Sequence, residues 1–167
     1  DLFEPEKLKL QVPLFEDPKV GLVFSNCTFF KEVDGTVHEK LVFSKPPTQG
    51  NIFRNLLDDY YLRFETSMFR KSVIGTDPKN WFPEQFQICT DFDLFLKISH
   101  SYEIKYVDES LAKWRLHENN WSIVKSSLSF LEQLIMIPRI LDYEPKLFQK
   151  YPKEIMQTIS NLKLYKF

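Results

Sequence analysis

Val20-Gly21-Leu22-Val23-Phe24-Ser25 is short and nearly all apolar. A strand with one wet face alternates; a continuous apolar run reads as a strand buried on both faces, as in the middle of an α/β sheet. Before it, Pro5-Glu6-Lys7-Leu8 is a helix start, and the helix is expected over 5–15, stopping ahead of Asp17-Pro18. After it, Asp34-Gly35 signals a hairpin turn between strands over 28–33 and 38–43. The segment 44–50 is a loop by composition.

Further along, Ile52, Leu56 and Tyr60 fall on one face of a helix over 51–61. The segment 66–69 is a short strand candidate and 77–80 a turn. A helix is expected over 91–99 with Thr90 as its N-cap, then strands over 103–107 and 111–116 joined by a turn at Asp108-Glu109. From Trp121 onward two helices are expected, broken near Tyr143-Pro145 and disturbed again at Pro152. One early buried strand with few strands after it leads to the expectation that further strands of the same sheet lie upstream of Asp1.

The 167 residues suit about one domain. With 43% hydrophobic and 27% charged residues, the balance is that of a globular protein rather than a disordered tail. Sixteen Phe among 16% aromatics supply a core and flat binding walls. Lys and Arg total 22 against 23 Asp and Glu, so nothing in the charge argues for nucleic acid or an anionic membrane. Cys27 and Cys89 stand in no ligand spacing and read as buried thiols. The sequons at Asn26 and Asn120 read as chance. No apolar run approaches the roughly 20 residues of a spanning helix.

The chemistry concentrates in Thr90-Asp91-Phe92-Asp93. A capping Thr and two acids in a first helical turn are fully explained by capping and by the helix macrodipole, with no function at all. Yet Phe92, Leu94, Phe95, Leu96 and Ile98 make this helix apolar almost all round, hence buried. Its N-terminus then faces a protein-lined space, where a carboxylate is available as a general base for a hydroxyl. The macrodipole is expected to lower the pKa of such a base.

Asp91-Phe92-Asp93-Leu94-Phe95-Leu96-Lys97-Ile98 resembles the E-D-Y-D-L-W-L-R-I segment of family 2 glycosyltransferases of the GT-A fold. The aspartate that serves that family as base matches Asp91; its preceding glutamate is Thr90 here. Asp1-Leu2-Phe3-Glu4-Pro5-Glu6-Lys7-Leu8 is similar to the D-L-W-x-P-x-K-L that follows the family's metal-binding D-x-D. Val20 to Ser25 resembles V-G-x-V-Y-S, and Thr66-Ser67-Met68-Phe69-Arg70-Lys71 resembles S-x-M-x-R-R on the acceptor side. Residues 106–117 are similar to Y-I-D-E-P-L-A-K-Y-R-x-H. Five such segments occur in order over roughly residues 1–122.

The resemblance implies an α/β fold, a partial GT-A domain with a Rossmann-like mixed sheet. The acceptor-side half would span 1–122, and a C-terminal helical tail over 123–167 would pack on it. It implies inverting transfer of a sugar from a nucleotide-sugar donor to a hydroxyl of a glycan or lipid-linked acceptor, in polysaccharide or glycoconjugate biosynthesis. Asp91 would be the base. A divalent metal, Mn or Mg, would be bound mainly by acids upstream of Asp1, so that this chain is expected to lack the nucleotide-binding half and to be inactive alone. His117 is carried over as a further contact to metal or diphosphate. The location implied is cytoplasmic, at the inner face of the membrane.

Lys113, Arg115 and His117 alternate with Ala112, Trp114 and Leu116, which gives a strand one basic and one apolar face. The basic face reads either as a solvated surface or as a cationic wall for the leaving diphosphate, with Arg115 also able to pair with Asp91 or Asp93. Asp93, Trp81 and Glu84 are further substrate-binding candidates, Trp81 by stacking on a sugar and Glu84 through hydroxyls; ordinary core packing and surface exposure are the plain alternatives. The tail is expected to pack on the domain, with a homo-oligomer contact or peripheral membrane contact as alternatives. The rival reading of the whole chain is a non-catalytic binding or assembly module of the same fold.

Overall fold

The structure, a computed structural model, describes residues 1–75 and 81–164. It is a mixed α/β fold built on an open five-stranded sheet. The strands are β1 (Leu2–Phe3), β2 (Val20–Val33), β3 (Thr36–Leu41), β4 (Met68–Phe69) and β5 (Glu103–Arg115). They run in the order β1-β5-β2-β3, with β4 also paired to β2. The β2–β5 pair is parallel and the others antiparallel.

β2 is the spine of the sheet. It fuses the expected strands over 20–25 and 28–33 into one strand of 14 residues, buried from Val20 to Thr28. Asn26 supports this fusion. Its Oδ1 accepts the Phe43 N–H at 3.0 Å and its Nδ2 donates to the Phe43 carbonyl at 2.8 Å, so a side chain extends the ladder toward the returning chain. Asp34 (φ 52°) and Gly35 (φ 75°) both adopt left-handed backbone, as a two-residue hairpin turn requires. Gly21 is needed for another reason: a Cβ there would lie 2.5 Å from the Tyr102 Cβ.

β5 corrects a second expectation. Asp108-Glu109 is not a hairpin turn. Ser25 pairs with Val107 and Asn26 with Ser110, so both halves of β5 run alongside the same strand and Asp108-Glu109 is a bulge between them. A reversal there would have forfeited the parallel ladder.

The helices are α1 (Lys7–Gln11), continued by a 3-10 turn over Val12–Glu16, α2 (Phe53–Asp58), α3 (Thr90–Ser101), α4 (Trp121–Val124), α5 (Ser126–Tyr143), α6 (Lys146–Lys150) and α7 (Pro152–Leu164). A core of Phe24, Phe53, Phe92 and Phe95 joins the sheet to α2 and α3, and Met136 of α5 and Ile155 of α7 belong to the same core. The Thr158 hydroxyl in α7 donates to the Leu57 carbonyl at 2.9 Å. Residues after 122 are thus woven into the core of residues before it. Cys27 and Cys89 are buried free thiols, and both sequon asparagines are buried. The expected turn over 77–80 lies outside the described residues. Among the described residues no helix is long and apolar enough to cross a membrane.

Candidate active site

α3 begins at Thr90, so the capping position falls to Cys89 rather than Thr90, and no side chain of the cap residue bonds the helix. Capping comes instead from a distant residue. The buried Glu132 of α5 accepts three backbone N–H groups in the approach to α3: Gln87 at 2.7 Å, Ile88 at 2.8 Å and Cys89 at 2.9 Å. A carboxylate so held satisfies donors that a buried helix start would otherwise leave unpaired. The Cys89 thiol lies 3.0 Å from the Ser129 hydroxyl, also of α5. The helical tail therefore fixes the position of the Asp91 turn.

Asp91 lines a cavity of about 270 Å³, together with Tyr60, Arg63, Glu65 and Trp114. Ser122 of α4 and Ser129 of α5 also line it. The Asp91 Oδ1 accepts the Phe92 N–H at 2.9 Å. Burial pushes its carboxyl above the ordinary value, while the Tyr60 hydroxyl, the Phe92 and Asp91 N–H groups and Arg63 pull it back down. The expected lowering by the helix terminus is overcome by desolvation. The Tyr60 hydroxyl is buried and interacts with Asp91 without forming a hydrogen bond of standard geometry.

The other wall comes from the extended segment between α2 and the 3-10 turn Phe64–Thr66. Three donors converge on the Arg63 carbonyl: the Thr66 N–H at 3.1 Å and the Thr66 and Ser67 hydroxyls, both at 2.8 Å. The Arg63 guanidinium lies over the Phe29 ring at 5.5 Å and the Trp114 ring at 5.9 Å. Those rings, from β2 and β5, meet edge to face with centroids 4.8 Å apart. Beneath Glu65 sits Lys7, buried, with its Nζ donating to the Thr66 carbonyl at 2.6 Å and to Gln11 Oε1 at 2.8 Å. Burial pushes Lys7 down to about 8, and Glu65 and Cys27 pull the other way. The Cys27 thiol, 3.6 Å from Glu65, is pushed up to about 12, chiefly by burial.

The remaining candidates lie elsewhere. Asp93 has no exposed surface and its carboxylate is 2.6 Å from the Lys97 ammonium. Trp81 is partly buried, its Nε1 is enclosed and has no hydrogen-bond partner among the described residues, and it does not line the cavity. Glu84 is exposed on the surface. On the basic face of β5, Lys113 is engaged by Glu39 at 2.9 Å and Glu4 at 3.9 Å. Arg115 lies over Phe30 at 5.2 Å and its N–H donates to Asp1. His117 falls past the strand end, exposed, with its N–H donated to Asn120 Oδ1 at 2.6 Å. It is the apolar face of β5, through Trp114, that reaches the cavity.

Among the described residues no three His, Cys, Asp or Glu side chains come together as a metal site. The described side chains do not by themselves form a metal site. Arg63, Glu65 and Glu132 escape a sequence reading, and Tyr60 and Trp114 enter it only as apolar-face positions. The one visible signal is Glu132, a lone acid amid the apolar positions Leu131, Leu134, Ile135 and Met136 of a helix. Comparison with known proteins found no matching family model and no matching curated protein.

Proposed function

We propose that the chain is the acceptor-side part of a GT-A glycosyltransferase that transfers a sugar from a nucleotide-sugar donor to a hydroxyl with inversion. The observation that carries the reading is Asp91: a carboxylate desolvated at the wall of a cavity, with Trp114 beside it. Desolvation makes this carboxylate a stronger base than a solvated one. Asp91 would take the proton of the acceptor hydroxyl as its oxygen attacks the anomeric carbon. The bond to the nucleotide's diphosphate breaks on the opposite side, and the electron pair leaves with the diphosphate. The Trp114 ring suits the apolar face of a pyranose.

The test is transfer from labelled nucleotide sugars to glycan acceptors by the full-length protein and by its Asp91→Asn variant. Loss of about 10²–10⁴ in kcat is expected for removal of a general base. A variant as active as its parent removes Asp91 from the chemistry. Sugar binding that Asp91→Asn leaves intact, with no turnover by either protein, favours the non-catalytic binding module.

A further inference from the structure

The Asp91 cavity contains a guanidinium that no described carboxylate meets in a direct ion pair. Among the described residues no hydrogen bond and no ion pair reaches the Arg63 guanidinium, and its Nε is buried without a partner. Neither cavity carboxylate fills that place. Asp91 accepts the Phe92 N–H, interacts with Tyr60 and attracts Arg63 only at a distance, without a direct ion pair. Glu65 faces Cys27 and Lys7 on its other side. Phe29 and Trp114 lie together on one side of the guanidinium, 5.5 and 5.9 Å from it with their centroids 4.8 Å apart, which leaves its cavity side for a ligand. The arm is also fixed at its root, because three donors hold the Arg63 carbonyl.

A part-buried guanidinium bears a desolvation cost until an anion meets it, and its planar fork matches the two oxygens of a carboxylate or phosphate. Hydroxyls of a neutral sugar offer acceptors but no charge. We infer that the ligand of this cavity is an anionic sugar, its carboxylate or phosphate gripped by Arg63 while one of its hydroxyls reaches Asp91 and its ring lies against Trp114. The inference rests on the acceptor reading above and names the class of acceptor.

The experiment is calorimetric titration of the 167-residue chain with glucuronic acid, glucose 6-phosphate and glucose. At least one anionic sugar is expected to bind about tenfold or more tightly than glucose, as a charge-assisted pair would give. Comparing the two anionic sugars tells carboxylate from phosphate. Arg63→Gln is expected to abolish the preference, and a melting curve checks that it folds. The comparison within the wild-type chain stands without that variant. Equal binding of all three sugars, or a preference that survives in Arg63→Gln, overturns the anion assignment and leaves the acceptor reading in place. Absence of binding by any of the three overturns both.

Discussion

The Glu132 carboxylate holds the Cys89 backbone N–H at 2.9 Å, two residues before the proposed base and 43 residues away along the chain. A C-terminal helix thereby sets the start of the helix that carries Asp91. With the Gln87 and Ile88 N–H groups on the same carboxylate, one side chain governs the geometry of this turn.

Replacing Glu132 tests that dependence. Glu132→Gln turns an acceptor into an NH2 group facing donors, so destabilisation of about 2–4 kcal/mol is expected from the lost charged hydrogen bonds and the buried N–H groups left unpaired. Urea denaturation should show a lower midpoint with an unchanged slope.

Asp91 is expected to trade stability for reactivity. Its folded pKa is raised by burial, so between its unfolded and folded values the native state binds more protons than the unfolded one. Stability therefore falls as pH rises through that window, and the deficit is complete above the folded value. Asp91→Asn should gain on the order of 1 kcal/mol at neutral pH, read as about 2–4 °C in Tm. The gain should vanish in acid, below the unfolded value. Thermal melts of both proteins across pH check the sign.

Tyr60 tunes Asp91 from the side. Its hydroxyl lowers the Asp91 pKa against the larger effect of burial. Tyr60→Phe is therefore expected to raise that pKa further and to move the acidic limb of the kcat/KM profile to higher pH. By the same linkage Tyr60→Phe should lower stability at neutral pH and leave it nearly unchanged in acid, below the unfolded pKa of Asp91. A carboxyl-carbon NMR titration of Asp91 reads the shift directly.

Gly21 tests the spine of the sheet. A Cβ there would meet the Tyr102 Cβ at 2.5 Å and its Cγ at 2.8 Å, which demands movement of β2 or of the end of α3. Gly21→Ala should destabilise by about 2–3 kcal/mol. A double-mutant cycle with Tyr102→Gly, which removes both the Cβ and the Cγ, should recover part of the loss, because the clash is shared by the two positions.

The sequence by itself determined the elements whose signal is local. The apolar run at Val20 gave a buried strand, left-handed Asp34-Gly35 gave the hairpin, and the apolar surround of Phe92 and Phe95 gave a buried helix. Such features depend on residues a few positions apart. What only the tertiary structure decided was pairing at a distance. Asp108-Glu109 became a bulge because both flanks of β5 found the same partner strand. Thr90 lost the cap because Glu132, from another helix, already held the preceding amides. Arg63 and Glu65 came to Asp91 from a segment that carries no periodic mark, and the alternation that put Trp114 on an apolar strand face did not say what that face would meet. The sign of the Asp91 shift turned on the same fact: a helix terminus is a local property, but desolvation depends on every segment that closes over the carboxylate.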